Sequence, residues 1–167
     1  MKTKKRILLV DDDIDIITVL ETILRREGYD VLSASNKADG FKLVKSWKPD
    51  LAILDVMMDA PYDGFELAKM IRDDHATARL PLIIHTSMDV LFATRPGIQE
   101  MAREFRKDPN YSNLEVILLK NIESNDAGVD YITQKGENVF FNVNGFIRKP
   151  VNGEKLLPEV KRILMSN

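Results

Sequence analysis

No cysteine occurs in the 167 residues, so disulfides and thiolate metal ligands are excluded, and a reducing compartment is compatible. Histidine is nearly as scarce, with two copies, which leaves a zinc site little to draw on. There is no surplus of positive charge. Lys and Arg number 24 against 26 Asp and Glu, a balance that argues against non-specific nucleic-acid binding. Long hydrophobic runs are missing too. The basic start, Lys2 to Arg6, precedes only four apolar residues, too few for a signal peptide, and no run approaches membrane-spanning length. These absences lead us to expect a cytoplasmic protein that contacts neither membrane nor nucleic acid directly.

What is present is a βα rhythm in a chain of single-domain length. Ile7 to Val10 is a short continuous apolar run, the pattern of a parallel strand buried on both faces. Ile17, Leu20 and Leu24 follow at helical spacing, and Gly28 is a stop signal. "YDVLSAS", "LAILDV", "LPLIIHTS" and "GFIRKP" read as further strands. Between them come a helix capped by Asn36 that ends before Pro49, a helix in "GFELAKMIRDD", and a closing helix marked by Leu156, Val160 and Ile163. Pro158 sits poorly in that last helix and predicts a late start or a kink. Alternation of this kind implies a doubly wound α/β fold, with a parallel sheet, right-handed crossovers and helices on both faces.

In such sheets the ligand site lies beyond the carboxyl ends of the strands. Asp11 and Asp12 end the first strand, Asp55 the third and Thr86 the fourth, and Lys149 follows the last. Clustered carboxylates are costly unless a cation neutralises them. Mg²⁺ suits the set, because it prefers hard oxygen ligands and commonly takes one or two carboxylates beside a phosphate.

Taken in order, "ILLVDDD", "DLAILDVMM", "DGFEL", "PLIIHTS" and "GFIRKPV" resemble the receiver domain of two-component response regulators, over roughly residues 5 to 88 and 143 to 165. The resemblance implies a flavodoxin-like sheet of five parallel strands in the order 2-1-3-4-5. It implies that Asp55 accepts a phosphoryl group from a sensor histidine kinase or phosphotransfer protein. Metal ligands would be Asp12, Asp55 and the Met57 carbonyl, with Asp11 completing the acid pocket. Lys149 and Thr86 would contact phosphoryl oxygens, and the bond from Lys149 to Pro150 would be cis. Thr86 and Phe146 would form the switch, with Phe146 standing where many relatives carry Tyr. Side chains two positions after the acceptor and the threonine, here Met57 and Met88, would border the path of the hydrolytic water and slow loss of the phosphoryl group.

The sequence departs from the pattern in two places. The loop "DVMMDAPYDG" carries Asp59 where the family usually has proline, and it is one residue longer. Lys149 also follows Thr86 by 63 residues, far more than the resemblance implies. We therefore expect one receiver domain over residues 1–167 with an ordered insertion at 88–144 before the last core strand. The insertion holds a helix over Ile98 to Lys107, an added strand in "EVILLK" and a hairpin turning near Gly136. Its acids outnumber its bases nine to six, which does not suit a DNA-reading element. Tyr111, Tyr131, Phe140 and Phe141 either anchor a partner or pack the insertion.

His75 reads as a solvated charge at a helix end, and His85 as a packed, hydrogen-bonded ring rather than a catalytic base. We expect a stand-alone receiver with no output domain after the closing helix, whose output is a phosphorylation-dependent contact with another protein, or relay of the phosphoryl group. Homodimerisation is a further option. A receiver-like scaffold that binds its partner through the insertion regardless of phosphorylation is the alternative. A Mg²⁺-dependent phosphatase ranks last, because Met57 stands where its second acid would be.

Overall fold

Residues 3–166 are described by the structure, a computed structural model, so Lys2 of the basic start and Asn167 lie outside the described residues. In chain order the elements are β1 (Arg6–Val10), α1 (Ile14–Arg26), β2 (Asp30–Ala34), α2 (Lys37–Trp47), β3 (Leu51–Asp55), α3 (Asp63–Asp73) and β4 (Leu82–Thr86). Then come β5 (Val90–Ala93), α4 (Ile98–Lys107), β6 (Val116–Asn121), β7 (Ala127–Ile132), β8 (Asn138–Val143), β9 (Gly145–Arg148) and α5 (Gly153–Met165). They fall into two units, one running to Ser87 and resuming at Phe146, the other spanning Met88–Gly145.

The first unit is a parallel sheet in the order β2-β1-β3-β4-β9, which is the expected 2-1-3-4-5 with β9 as fifth core strand. Ile7, Leu9, Ile53, Ile83 and Ile147 of the sheet share a core with Leu20 and Leu24 of α1 and Leu156, Val160 and Ile163 of α5. On the opposite face, α2 approaches closely enough that a Cβ on Gly40 would lie 3.1 Å from Val10 of β1 and Leu67 of α3. Both faces are covered, which is why β1, β3 and β4 are almost continuously apolar. The late start predicted from Pro158 does not occur. Asn152 caps α5 by accepting the Lys155 N–H at 2.9 Å, and the helix begins at Gly153 with Pro158 inside it. The backbone bond that Pro158 cannot donate would have gone to Glu154, an exposed residue whose carbonyl water can reach.

The second unit is a four-stranded sheet in the order β5-β6-β7-β8. β5 runs parallel to β6, whereas β6–β7 and β7–β8 are antiparallel. Its helix and its hairpin lie where the periodicity puts them, and Gly136 between β7 and β8 takes φ +83°. β5 was not legible: four residues following Thr86 give too short a pattern. Ile98 and Ala102 of α4 pack on Ile117 and Leu119, joined by half-buried Phe105, Tyr111 and Phe140. Tyr131 and Phe141 are buried edge to face, 6.1 Å apart. Tyr111, Tyr131, Phe140 and Phe141 therefore pack within the unit. Its exposed large apolar side chains are Phe92, Leu114 and Ile122.

Candidate functional site

Two strand ends deliver the three acids. Asp11 follows β1, and its N–H donates to the carbonyl of Ala34, the last residue of the paired strand β2, at 3.1 Å. Asp55 closes β3, in register with His85 of β4. Carboxylate oxygens of Asp11, Asp12 and Asp55 lie within 4.8 Å of one another. Asp13 has a different task from its neighbours. It is the N-cap of α1, accepting the N–H of Asp15 at 2.9 Å and of Ile16 at 3.4 Å. A run of three aspartates thus divides between one helix cap and two members of an acid cluster.

Lys149 supplies the opposing charge. Its Nζ donates to Asp55 Oδ1 at 2.8 Å, and its backbone N–H donates to the Thr86 carbonyl at 2.9 Å. Thr86 is buried at the end of β4, so the β4 and β9 ends are clasped at the site. The Lys149–Pro150 peptide is cis, as the resemblance implies. Phe146 is half-buried in β9, while the Met57 side chain is 58% exposed. Asp59 is exposed in the loop.

Sequence reading did not anticipate how that loop is held. A Cβ on Gly64 would lie 1.8 Å from the Asp55 carbonyl oxygen, and the Gly64 N–H donates to Val56 at 2.8 Å. Only glycine allows α3 to start this close to the backbone that carries Asp55. Asp63 is buried and accepts the Ala60 N–H at 2.9 Å, and Lys37 of α2 ties down the same helix start through Glu66 at 2.5 Å. The "DG" pair after the acid-bearing strand was the available signal.

Asp11 Oδ1 accepts the Asp13 N–H at 2.9 Å, but its buried Oδ2 has no partner among the described residues. Burial first, and then the Asp55 and Asp12 charges, push this carboxyl up to about 6, against the pull of the Asp13 N–H and Lys149. His85 differs from expectation. It is packed, yet neither ring nitrogen has a hydrogen-bond partner among the described residues. Burial, aided by Lys149, pulls its imidazole down to about 4, so it is neutral at pH 7. His75 is exposed just past the end of α3.

These two shifts oppose each other. Asp11 holds its proton in the fold above the pH where an unfolded Asp releases it. Its contribution is complete below about pH 4 and lost as pH rises to about 6. The sum is up to about 3 kcal/mol, an upper bound for metal-free protein. His85 contributes above its unfolded value, and that contribution fades as pH falls toward 4. In metal-free protein, Asp11→Asn is therefore expected to raise stability at pH 7 but not at pH 4. Urea melts at the two pH values check this, and an equal gain at both would refute it.

The model of the response regulator receiver domain matches residues 7–118. The chain belongs to the response regulator receiver family. With that membership comes a role in phosphorylation-dependent two-component signalling. PilH of Pseudomonas aeruginosa is 33% identical over 123 residues, covering 74% of this chain and 98% of PilH. The alkaline phosphatase synthesis transcriptional regulatory protein PhoP of Bacillus subtilis is 36% identical over 105 residues, or 63% of this chain. The chain spans 42% of the length of PhoP, and the same share of AfsQ1 of Streptomyces coelicolor. Among solved structures, the fold matches Vibrio cholerae chemotaxis protein CheY4 with a TM-score of 0.62 at 21% identity, over 96% of this chain and 99% of that one. Receiver domains generally bind Mg²⁺ at an acidic pocket and interact with histidine kinases or phosphotransfer proteins. Among the described residues, no helix is long and apolar enough to cross a membrane. The family match stops inside β6, so Lys149 is brought to Asp55 by the fold rather than by that alignment.

Proposed function

We propose that Asp55 is the phosphoryl acceptor of a cytoplasmic signalling switch, one receiver domain in which residues 88–144 form an insertion. The observation that carries this reading is the single ammonium of Lys149 held 2.8 Å from Asp55, inside a cluster of three carboxylates drawn from two strand ends. An Asp55 oxygen attacks the phosphorus of a kinase or phosphotransfer-protein phosphohistidine, the P–N bond breaks, and the imidazole leaves with a proton. Lys149 then transfers its contact to a phosphoryl oxygen, and the Thr86 hydroxyl donates to another. Movement of Thr86 draws Phe146 inward and alters the surface that a downstream protein reads. Lacking a hydroxyl, Phe146 signals through packing alone.

The residues also fit Mg²⁺. Asp11, Asp12, Asp55 and the Met57 carbonyl would hold it, and the partnerless Asp11 Oδ2 is the kind of buried oxygen a hard cation satisfies. Bound there, the ion would neutralise charge developing on the phosphoryl oxygens.

Incubation with acetyl phosphate and Mg²⁺ tests the reading. Stoichiometric labelling supports a switch, and rapid steady turnover would point to a phosphatase. Absence of labelling would favour a scaffold that binds a partner through residues 88–144, a reading to which the separate core around Ile98 and Ile117 lends weight. Met57 gives a further expectation. Exposed beside the acceptor, it should hinder the hydrolytic water, so Met57→Asn is expected to shorten the phosphoryl lifetime several-fold. Slower loss from Met57→Asn than from wild type, followed by decay of the label, would refute this.

A further inference from the structure

At the amino edge of the parallel sheet, opposite the edge that carries the acid cluster, a cleft of about 540 Å³ opens between α2, the turn before β4 and the end of α5. Lys5 and Asp50 border it just before β1 and β3. Its volume lies in the range of small-molecule sites. Val44 and Leu164, both buried, and half-buried Leu80 give it an apolar floor.

Charge decides what such a cleft can hold. Lys5, Lys48 and Arg79 line it, all three exposed and none with a side-chain partner among the described residues. Lys45 adds no free charge, because Asp74 pairs with it at 2.9 Å. Asp50 is the one acid of the lining, and its Oδ2 accepts the Arg6 N–H at 2.8 Å. A helix C-terminus accounts for Lys48, which follows α2, but Lys5 and Arg79 lie outside the helices. A chain of net charge −2 thus gathers three unpaired cations against one acid above an apolar floor. The same Lys5, Lys48 and Asp50 border a smaller adjoining cleft, to which Lys4 adds further positive charge. A phosphate monoester matches this set. Its dianion takes the two ammonium groups and, through paired oxygens, the planar guanidinium fork, while a hydrocarbon body covers the floor. We propose that this cleft binds a small soluble phosphate monoester, with the phosphate among Lys5, Lys48 and Arg79 and the apolar body against Val44, Leu80 and Leu164. The site does not depend on the reading of Asp55 as acceptor.

Hexyl phosphate is a suitable probe for the full-length protein, titrated without Mg²⁺. In ¹H–¹⁵N spectra it is expected to shift the amides of Lys48, Thr77 and Leu80, which line the cleft, saturably, while those of Asp12 and Asp55 stay in place. Inorganic phosphate and 1-hexanol each carry half of the recognised chemistry and should bind at least about tenfold more weakly. Arg79 is exposed and unpaired, so Arg79→Glu leaves the fold intact while reversing one charge of the rim. It should weaken hexyl phosphate at least about tenfold, and Lys48→Gln should weaken it as well. Absence of a saturable shift, shifts confined to the acid cluster, equal binding of either half-probe, or unchanged affinity in Arg79→Glu would overturn the proposal. So would preferential sedimentation of the protein with phosphatidate vesicles, which would make this edge a membrane contact instead.

Discussion

Asp55→Asn is expected to reduce acetyl phosphate labelling to background while the protein remains folded. A carboxamide is no nucleophile toward phosphorus, and no other acid of the cluster takes its place against Lys149. The substitution is nearly isosteric, and the amide oxygen still accepts from Lys149 Nζ, so the clasp between the β4 and β9 ends persists. A second consequence is electrostatic. The Asp55 charge is one of the influences that raise Asp11, so its removal should bring the Asp11 carboxyl below its value of about 6. Intact-mass spectrometry reads the first outcome, and a carboxyl-detected NMR titration the second. Full labelling of Asp55→Asn would place the acceptor elsewhere and end the proposed mechanism.

Gly64→Ala is expected to cost about 3 kcal/mol or more and to slow labelling sharply, although Gly64 bears no side chain and touches no substrate. A methyl group there would sit 1.8 Å from the Asp55 carbonyl oxygen, and backbone has no flexible end to give way. Either α3 lifts from the sheet or the Asp55 backbone moves out of line with Lys149. Thermal melts should show a drop on the order of 6 to 12 °C. Gly153→Ala is the matched control. A Cβ at that helix start meets nothing closer than 3.9 Å, so stability should hold or rise slightly. Equal melting temperatures for Gly64→Ala and wild type would mean that the close approach of α3 to β3 does not position the acid.

The strands that carry the site are legible in sequence because both faces of a parallel sheet are buried. Residues 7–10, 51–54 and 82–84 each read as uninterrupted apolar runs, followed by polar or acidic residues where the chain emerges. Helix caps at Asn36 and the periodic faces of α1 and α4 are legible for a similar local reason, since hydrogen bonding and 3.6-residue periodicity act over a few residues. Pro158 did not delay the start of α5, because propensity is a weak prior. Leu156, Val160 and Ile163 are fully packed on the sheet, and that burial outweighs one lost backbone bond. The aromatic residues of the second unit were ambiguous, because composition cannot distinguish a packing ring from a docking ring.

Residue order and local pattern were thus enough for the chain itself to specify a doubly wound sheet and the likeness of its acids and lysine to a receiver pocket. Which aspartate caps a helix and which joins the cluster required three dimensions. So did the pairing of Lys149 with Asp55 across 94 positions, the partnerless ring of His85 and the close approach at Gly64. Periodicity reports which face of an element is buried. Pairing, desolvation and close contact depend on distances between elements far apart in the chain, and those exist only once the sheet has assembled.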